Sequence, residues 1–147
     1  MATLARGPEL DRAPVRRIGR PLAAAGAVAT ATLALRLRDP HVHGSWGFCP
    51  FKAITGWDCP LCGGLRAVND LGHGQVGAAA HSNLLFVGLL LPVALVLWVA
   101  AVRRGWTGKG EPLSPRMINR LTLALAAVAV VFTVYRNTPW GSAWFAA

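Results

Sequence analysis

The sequence contains a run from Leu84 to Val102 without a single charged residue. A run of this length fits the roughly 20 apolar residues that a helix needs to cross the hydrocarbon core of a membrane. Pro92 lies inside the run, where a membrane protein tolerates a proline as a kink. Trp98 lies near the end that meets Arg103, as an interfacial anchor does. The run therefore predicts a transmembrane helix over residues 84–102.

Two further apolar runs complete a set of three predicted spans. The first predicted span covers residues 21–37, and it has no charged side chain from residue 22 to residue 35. The third covers residues 117–135 and has its apolar core over residues 121–134. The first run is short for a membrane crossing, but Arg36 can extend its side chain to the interface and make up the length. The sequence therefore predicts an all-α integral membrane protein with about three transmembrane helices.

The first run also has features of a cleavable signal peptide. A basic segment with Arg16 and Arg17 precedes it, and small residues such as Ala27 and Ala29 offer cleavage sites. Because further spans follow, the rest of the chain is predicted to stay in the membrane whether or not this run is removed. An uncleaved first transmembrane helix is the favoured interpretation.

The overall composition favours a membrane protein over a nucleic-acid-binding protein. Hydrophobic residues make up 54% of the chain and charged residues only 14%, whereas soluble domains have about 25% charged residues. The formal net charge is +9, but the arginines cluster beside the apolar runs, as the positive-inside rule produces. We therefore expect the lipid bilayer and an unknown protein as partners, together with a capacity to form oligomers, and no nucleic acid.

The segments between the spans predict the orientation of the protein. A basic flexible tail over residues 1–20 precedes the first span, a basic connector over residues 103–116 follows the second, and an aromatic tail over residues 136–147 ends the sequence. A cysteine loop with short interfacial helices, residues 38–83, joins the first two spans. Most lysines and arginines lie in the basic tail and the connector, which predicts a multi-pass protein of the plasma membrane with a cytoplasmic N-terminus and an extracytoplasmic cysteine loop.

All three cysteines of the chain lie in this loop, in a pattern that predicts a metal site or a cross-link. Cys59, Cys62 and Gly63 belong to a C-P-x-C-G turn, in which two thiolates can converge on one ion. Cys49 supplies a third ligand. Zinc, or another thiolate-bound metal, is the candidate cofactor. The fourth ligand would be solvent or one of the following residues: His41, His43, Asp58, His73 and His81.

The same cysteines fit two alternatives without a metal. In an oxidising extracytoplasmic compartment two of the three can form a structural disulfide, and the sequence does not choose among the three pairings. Alternatively, the Cys59-x-x-Cys62 pair at a helix start can act as a membrane thiol–disulfide redox component, because helix N-terminal amides lower a thiol pKa. No acid, base or nucleophile set accompanies the cysteines in the sequence, so a non-enzymatic structural staple is favoured over an enzyme.

Several residues after the cysteine turn are candidates to support the site. Helical spacing of apolar residues predicts a short helix over residues 65–71, and a second is expected over residues 75–81. Arg66 lies four residues before Asp70, and an ion pair between them is favoured over a contact of Arg66 with a thiolate or a lipid phosphate. Asn83 is expected to cap the second span. The candidate supporting residues are Gly63, Gly64, Arg66, Asp70, His73, His81 and Asn83.

These residues resemble a known family. The sequence C-P-L-C-G-G-L-R-A over residues 59–67 fits the pattern C-P-x-C-G-x-x-R-A, and Cys49-Pro50 precedes it. The pattern is similar to that of DUF2752, a family of small bacterial membrane proteins of unknown function. The resemblance covers about residues 46–100 and implies an integral membrane protein with few helices. It implies no activity.

Overall fold

The computed structural model describes residues 13–42, 44–109, 111 and 113–145. Every regular element in these ranges is helical, which confirms the all-α prediction. The helices are α1 (Ala13–Leu37), α2 (Pro50–Thr55), α3 (Gly64–Gly72), α4 (Val76–Ser82), α5 (Leu91–Thr107, directly preceded by a π-helical turn over Phe86–Leu90), α6 (Pro115–Arg136) and α7 (Pro139–Trp144).

Three segments are long and apolar enough to cross a membrane. They are Ile18–Leu37, Phe86–Thr107 and Pro115–Arg136. Little of their surface is buried inside the protein, and large apolar side chains along them are exposed, as lipid-facing side chains would be. The prediction of three transmembrane-length helices is therefore confirmed.

The first two spans are longer than the apolar runs alone indicate. α1 begins at Ala13, so residues 13–20 of the predicted flexible tail belong to a helix. The earlier residues of that tail lie outside the described residues. The arginines in this segment have good helix propensity and can continue a helix beyond its apolar part. The second span continues past residue 102 to Thr107 and stops at Gly108, whose φ of 65° is that of a left-handed helix cap.

The second span starts with the π-helical turn over Phe86–Leu90. This wide turn lies just before Pro92, which has no N–H to donate and whose ring would crowd the carbonyl of Gly88 in a regular α-helix. The change of helix type accommodates the proline at the place where the sequence predicts a kink.

Two of the three short helices in the cysteine loop dock against the spans. α3 packs against α1 and α4, and α4 packs against the π-helical turn. Asn69 in α3 donates a hydrogen bond from Nδ2 to the Leu35 carbonyl at 2.8 Å. The first two spans are joined in turn by Trp98, whose Nε1 donates to the Pro21 carbonyl at 2.9 Å. α3 and α4 lie where the sequence predicts short helices, whereas the sequence pattern does not predict α2.

The third span contacts the cysteine loop at its C-terminal end. The chain turns back after Arg136 into α7, where the Thr138 side chain accepts a hydrogen bond from the N–H of Gly141 at 3.2 Å. Phe145 then lies buried, with its ring edge-to-face with Phe132 at a centroid distance of 5.3 Å. The predicted aromatic tail is therefore a folded element that packs on the end of α6.

Candidate metal centre

Two local structures bring the three cysteines together. Cys49 is the residue before α2, and Pro50 follows at the first helical position, where its fixed φ favours helix initiation. In the turn before α3 the N–H of Cys62 donates to the Cys59 carbonyl at 3.1 Å, and the N–H of Cys59 donates to Cys62 Sγ at 3.2 Å. Gly63 follows with φ 80°, a conformation that favours glycine and leads the chain into α3.

The three sulfur atoms lie close enough to share one ion. The Sγ atoms of Cys59 and Cys62 are 3.1 Å apart, and the three Sγ atoms, with that of Cys49, all lie within 4.8 Å of one another. In a tetrahedral zinc site with Zn–S bonds of about 2.3 Å, the sulfur atoms are about 3.8 Å apart, so Cys59 and Cys62 would have to separate slightly to bind zinc. The cluster therefore has three thiol ligands close enough together to hold one metal ion, with one position left for a fourth ligand.

The electrostatics of the cluster oppose three free thiolates. Burial is the main reason that the pKa of Cys62 rises to about 12, and the hydrogen bond with the Cys59 thiol adds to the effect. The pKa of Cys49 is lowered, chiefly because the backbone N–H of Lys52 stabilises its thiolate. At neutral pH Cys62 therefore keeps its proton, and a bound cation would favour its release. These surroundings suit a metal ligand better than a free nucleophilic thiolate.

Asn83 holds the carbonyl groups of the cysteine turn. Its side chain is fully buried, and Nδ2 donates to the carbonyls of Pro60 and Cys62 at 2.9 and 3.0 Å. Its Oδ1 accepts from the N–H of Phe86 at 2.9 Å. Asn83 thus caps the second span, as the sequence indicates, and also ties the cysteine turn to that span.

Replacing Asn83 by alanine is expected to lower the free energy of unfolding by about 3 kcal/mol, since three hydrogen bonds are lost and buried carbonyl groups lose their donor. The measurement is unfolding of the detergent-solubilised protein, followed by circular dichroism. The control is Asn119→Ala, an exposed position on α6 that should change stability little. Equal stability of the two variants would contradict the role assigned to Asn83.

A buried arginine from the third span lies beside the cluster. Arg136 is 1% exposed and donates from Nη1 to the Cys62 carbonyl at 2.7 Å. Its Nε lies 3.9 Å from Oδ2 of Asp58, a separation too long for a hydrogen bond. The other carboxylate oxygen of Asp58 lies 2.8 Å from Lys52 Nζ. The third span therefore contributes a positive charge to the cysteine site.

An open cleft of about 670 Å³ lies over the cluster. The three cysteines line it, and so do Gly63 and Asp58. The cleft gives a metal ion, and a fourth ligand from solvent, access to the sulfur atoms. Also on its lining are His41, Lys52, Gly64 and Arg66.

Part of the cleft lining, from Cys49 to Arg66, lies in a segment that matches a family model. Residues 49–98 match the model of DUF2752, described as a protein of unknown function. The match confirms the resemblance that the cysteine pattern indicates. The DUF2752 segment includes all three cysteines and Asn83, and it ends at Trp98 in the second span, so the first and third spans lie outside it. No curated protein and no solved structure matches the chain.

The described histidines predicted as fourth ligands, His41, His73 and His81, do not join the sulfur atoms. Among the described residues, no histidine or carboxylate belongs to the group of ligand atoms that lie within 4.8 Å of one another. His73 Nδ1 lies 2.9 Å from the Asn69 carbonyl, and His81 stacks on Trp144 with ring centroids 4.4 Å apart. His43 lies outside the described residues. Among the described groups, solvent in the cleft is left as the source of a fourth ligand.

Asp70 belongs to a separate polar network at the base of the loop. It is 4% exposed, and its Oδ2 accepts from Ser82 Oγ at 2.9 Å. Its Oδ1 lies 3.2 Å from His41 Nε2, and His41 Nδ1 lies 2.8 Å from Oδ1 of Asp39. Asp70 therefore ties α3 to α4 and to the start of the loop, which is a structural role.

Arg136 and Asn137 are site residues that the sequence analysis does not find. Asn137 accepts from the N–H of Asp58 at 2.9 Å and donates from Nδ2 to the Asp58 carbonyl at 3.0 Å. Both residues lie outside the DUF2752 segment, far along the chain from their partners. One feature of the sequence does point to Arg136. It lies at a span end predicted to face outwards, where the positive-inside rule places few cations, so an arginine there is unusual.

Proposed function

We propose that this chain is a small multi-pass membrane protein in which Cys49, Cys59 and Cys62 hold a zinc-like metal ion as a structural staple. The observation that carries the proposal is the approach of three sulfur atoms to within 4.8 Å of one another. Structural zinc sites are built from thiolates at such spacing and contribute directly to folding. The staple would join α2 to the turn before α3, and Asn83 and Arg136 would extend that connection to the second and third spans.

A metal accounts for all three cysteines, whereas a disulfide accounts for two. A Cys59–Cys62 disulfide would close a very short loop, so it would restrict the unfolded chain little. A disulfide from Cys49 to either of them would leave one thiol in the cleft. The hydrogen bonds of Asn83 and Arg136 to the Cys62 carbonyl also favour a fixed site over a mobile redox pair.

The second candidate function is a membrane thiol–disulfide component that uses the Cys59–Cys62 pair. The observation in its favour is the distance of 3.1 Å between the two Sγ atoms in an open cleft. The raised pKa of Cys62 disfavours it as an attacking thiolate. The non-enzymatic staple is therefore the leading proposal.

We further propose that the protein lies in a bacterial plasma membrane, with the N-terminus in the cytoplasm and the cysteine loop outside. The support is the concentration of lysine and arginine in residues 1–20 and 103–116. Lipid would contact the exposed apolar sides of the spans. The cleft would offer a surface to a protein partner or to a second copy of the chain, and no nucleic acid is expected.

The test is labelling of the cysteines on intact cells with a membrane-impermeant maleimide, read as shifts on a gel. We expect weak labelling of the untreated wild type, stronger labelling after a chelator, and no increase after a mild reductant. A variant with all three cysteines replaced by serine is the control for background.

Other outcomes would contradict specific parts of the proposal. An increase caused by the reductant alone would show a disulfide and remove the metal staple. Labelling that requires permeabilised cells under every treatment would overturn the proposed orientation. In those cells, an increase in labelling after the chelator would still indicate that the cysteines bind a metal.

A further inference from the structure

Arg136 has hydrogen-bonding capacity that its protein neighbours leave unused. Its side chain is buried, and among the described residues its Nε and Nη2 atoms have no hydrogen-bond partner. Its Nη1 atom donates to the Cys62 carbonyl at 2.7 Å. Buried guanidinium N–H groups are normally paired, because removing them from water is unfavourable unless another group replaces the water.

The charge of Arg136 is also poorly balanced by its carboxylate neighbour. Asp58 Oδ2 is 3.9 Å from Nε, and the same carboxylate contacts Lys52 Nζ at 2.8 Å. On its other side Arg136 faces the ring of Phe145, with 5.5 Å from Cζ to the ring centroid. One carboxylate therefore serves two cations, and one positive charge remains to be neutralised inside the site.

A metal centre formed by three thiolates would supply the negative charge that Arg136 lacks. Three thiolates around a divalent cation carry one net negative charge. Asp58, Cys62 and Cys59 lie near enough to favour the charge of Arg136 when they are ionised, whereas the positive charge of Arg66 opposes it. With Asp58 paired to Lys52, the anionic centre would offset the charge of Arg136.

We propose that Arg136 is the positioning residue and counter-charge of the cysteine metal centre, so that metal binding docks the third span onto the cysteine loop. This inference rests on the proposed metal staple. Arg136 holds the Cys62 carbonyl directly, so it orients one ligand residue while its charge stabilises the thiolates. Such partners of metal ligands commonly change metal affinity when they are replaced.

The test is a titration of the full chain, purified in detergent and stripped of metal, with Co²⁺ as the probe. Thiolate-to-cobalt absorption bands report binding at the cysteines. We expect Arg136→Met to bind Co²⁺ about 10- to 100-fold more weakly than the wild type. Arg136→Lys should recover part of the affinity because it restores the charge. Arg120→Met, which removes an exposed arginine from the same helix, should bind as the wild type does.

A comparison of the metal-free proteins separates this role from a merely structural one. Without metal, Arg136→Met should melt no lower than the wild type, because a poorly compensated buried charge has been removed. Wild-type affinity in Arg136→Met would overturn the inference and leave the staple intact. A lower melting temperature of metal-free Arg136→Met together with weaker Co²⁺ binding would assign Arg136 a merely structural role and would also overturn the inference. If wild-type protein gives no thiolate-to-cobalt bands, the proposed staple itself fails. If Arg136→Met does not fold, the Co²⁺ affinity of Arg136→Gln is compared with that of Arg136→Lys instead.

Discussion

Replacing Cys62 by serine is expected to weaken metal binding by a factor on the order of a hundred to a thousand. Structural zinc sites bind with about 10–16 kcal/mol, which is roughly 3–4 kcal/mol for each of four ligands, and about 1.4 kcal/mol corresponds to a factor of ten. The variant should also melt at a lower temperature than the metal-bound wild type, since the energy of metal binding contributes to folding. Metal competition with a chromophoric chelator and thermal unfolding in detergent measure the two effects.

The pattern across the three cysteines separates a metal from a disulfide. If all three ligate one ion, Cys49→Ser and Cys59→Ser should lose metal to a similar degree as Cys62→Ser. If two of them form a disulfide, replacing the third should have little effect. Ile54→Thr, which adds a hydroxyl at an exposed position of α2 outside the cleft lining without removing a thiol, is the control. If replacing one of the three cysteines leaves metal affinity unchanged, the metal is not held by all of them.

Replacing Gly63 by alanine is expected to lower the free energy of unfolding by about 3 kcal/mol or more. Gly63 has φ 80°, where a side chain costs about 1–2 kcal/mol. An added Cβ would also collide with the backbone carbonyl of Ser82, and overpacking of this kind costs about 1–3 kcal/mol. The Ser82 carbonyl cannot move freely because the next residue, Asn83, is held by three hydrogen bonds.

The neighbouring glycine provides a matched control for this prediction. Gly64 is the first residue of α3, and an added Cβ there would meet no atom within 4 Å. Gly64→Ala should therefore be close to neutral, while Gly63→Ala should lower both the melting temperature and the metal affinity, because the cysteine turn would be pushed away from α4. Similar melting temperatures for the two variants would mean that the close approach of the turn to Ser82 is not required.

The sequence predicts the spans and the cysteine turn because both are local patterns. A long apolar run can be recognised without knowing what packs on it, and the C-P-x-C-G spacing places Cys59 and Cys62 in one turn through its own backbone hydrogen bonds. The predicted flexible tail extends too far along the chain because residues 13–20 include three arginines but are still helical. Helix propensity and hydrophobicity are different properties, and the end of the tail is predicted from hydrophobicity alone.

The surroundings of the cluster depend on tertiary contacts that no local pattern encodes. Arg136 reaches the Cys62 carbonyl across 74 positions of sequence, and Asn137 reaches Asp58 across 79. The histidines show the opposite case, since His73 and His81 have the chemistry of ligands but form hydrogen-bond and stacking contacts elsewhere. Residue type therefore indicates which side chains are able to bind a metal, and packing decides which of them are placed to do so.

X-ray absorption at the zinc edge, recorded on protein purified in detergent without chelators, tests the central claim most directly. The account predicts about one zinc ion per chain, with about three sulfur neighbours at roughly 2.3 Å and one lighter neighbour. Protein that contains no bound metal and has two of its cysteines in a disulfide would contradict it.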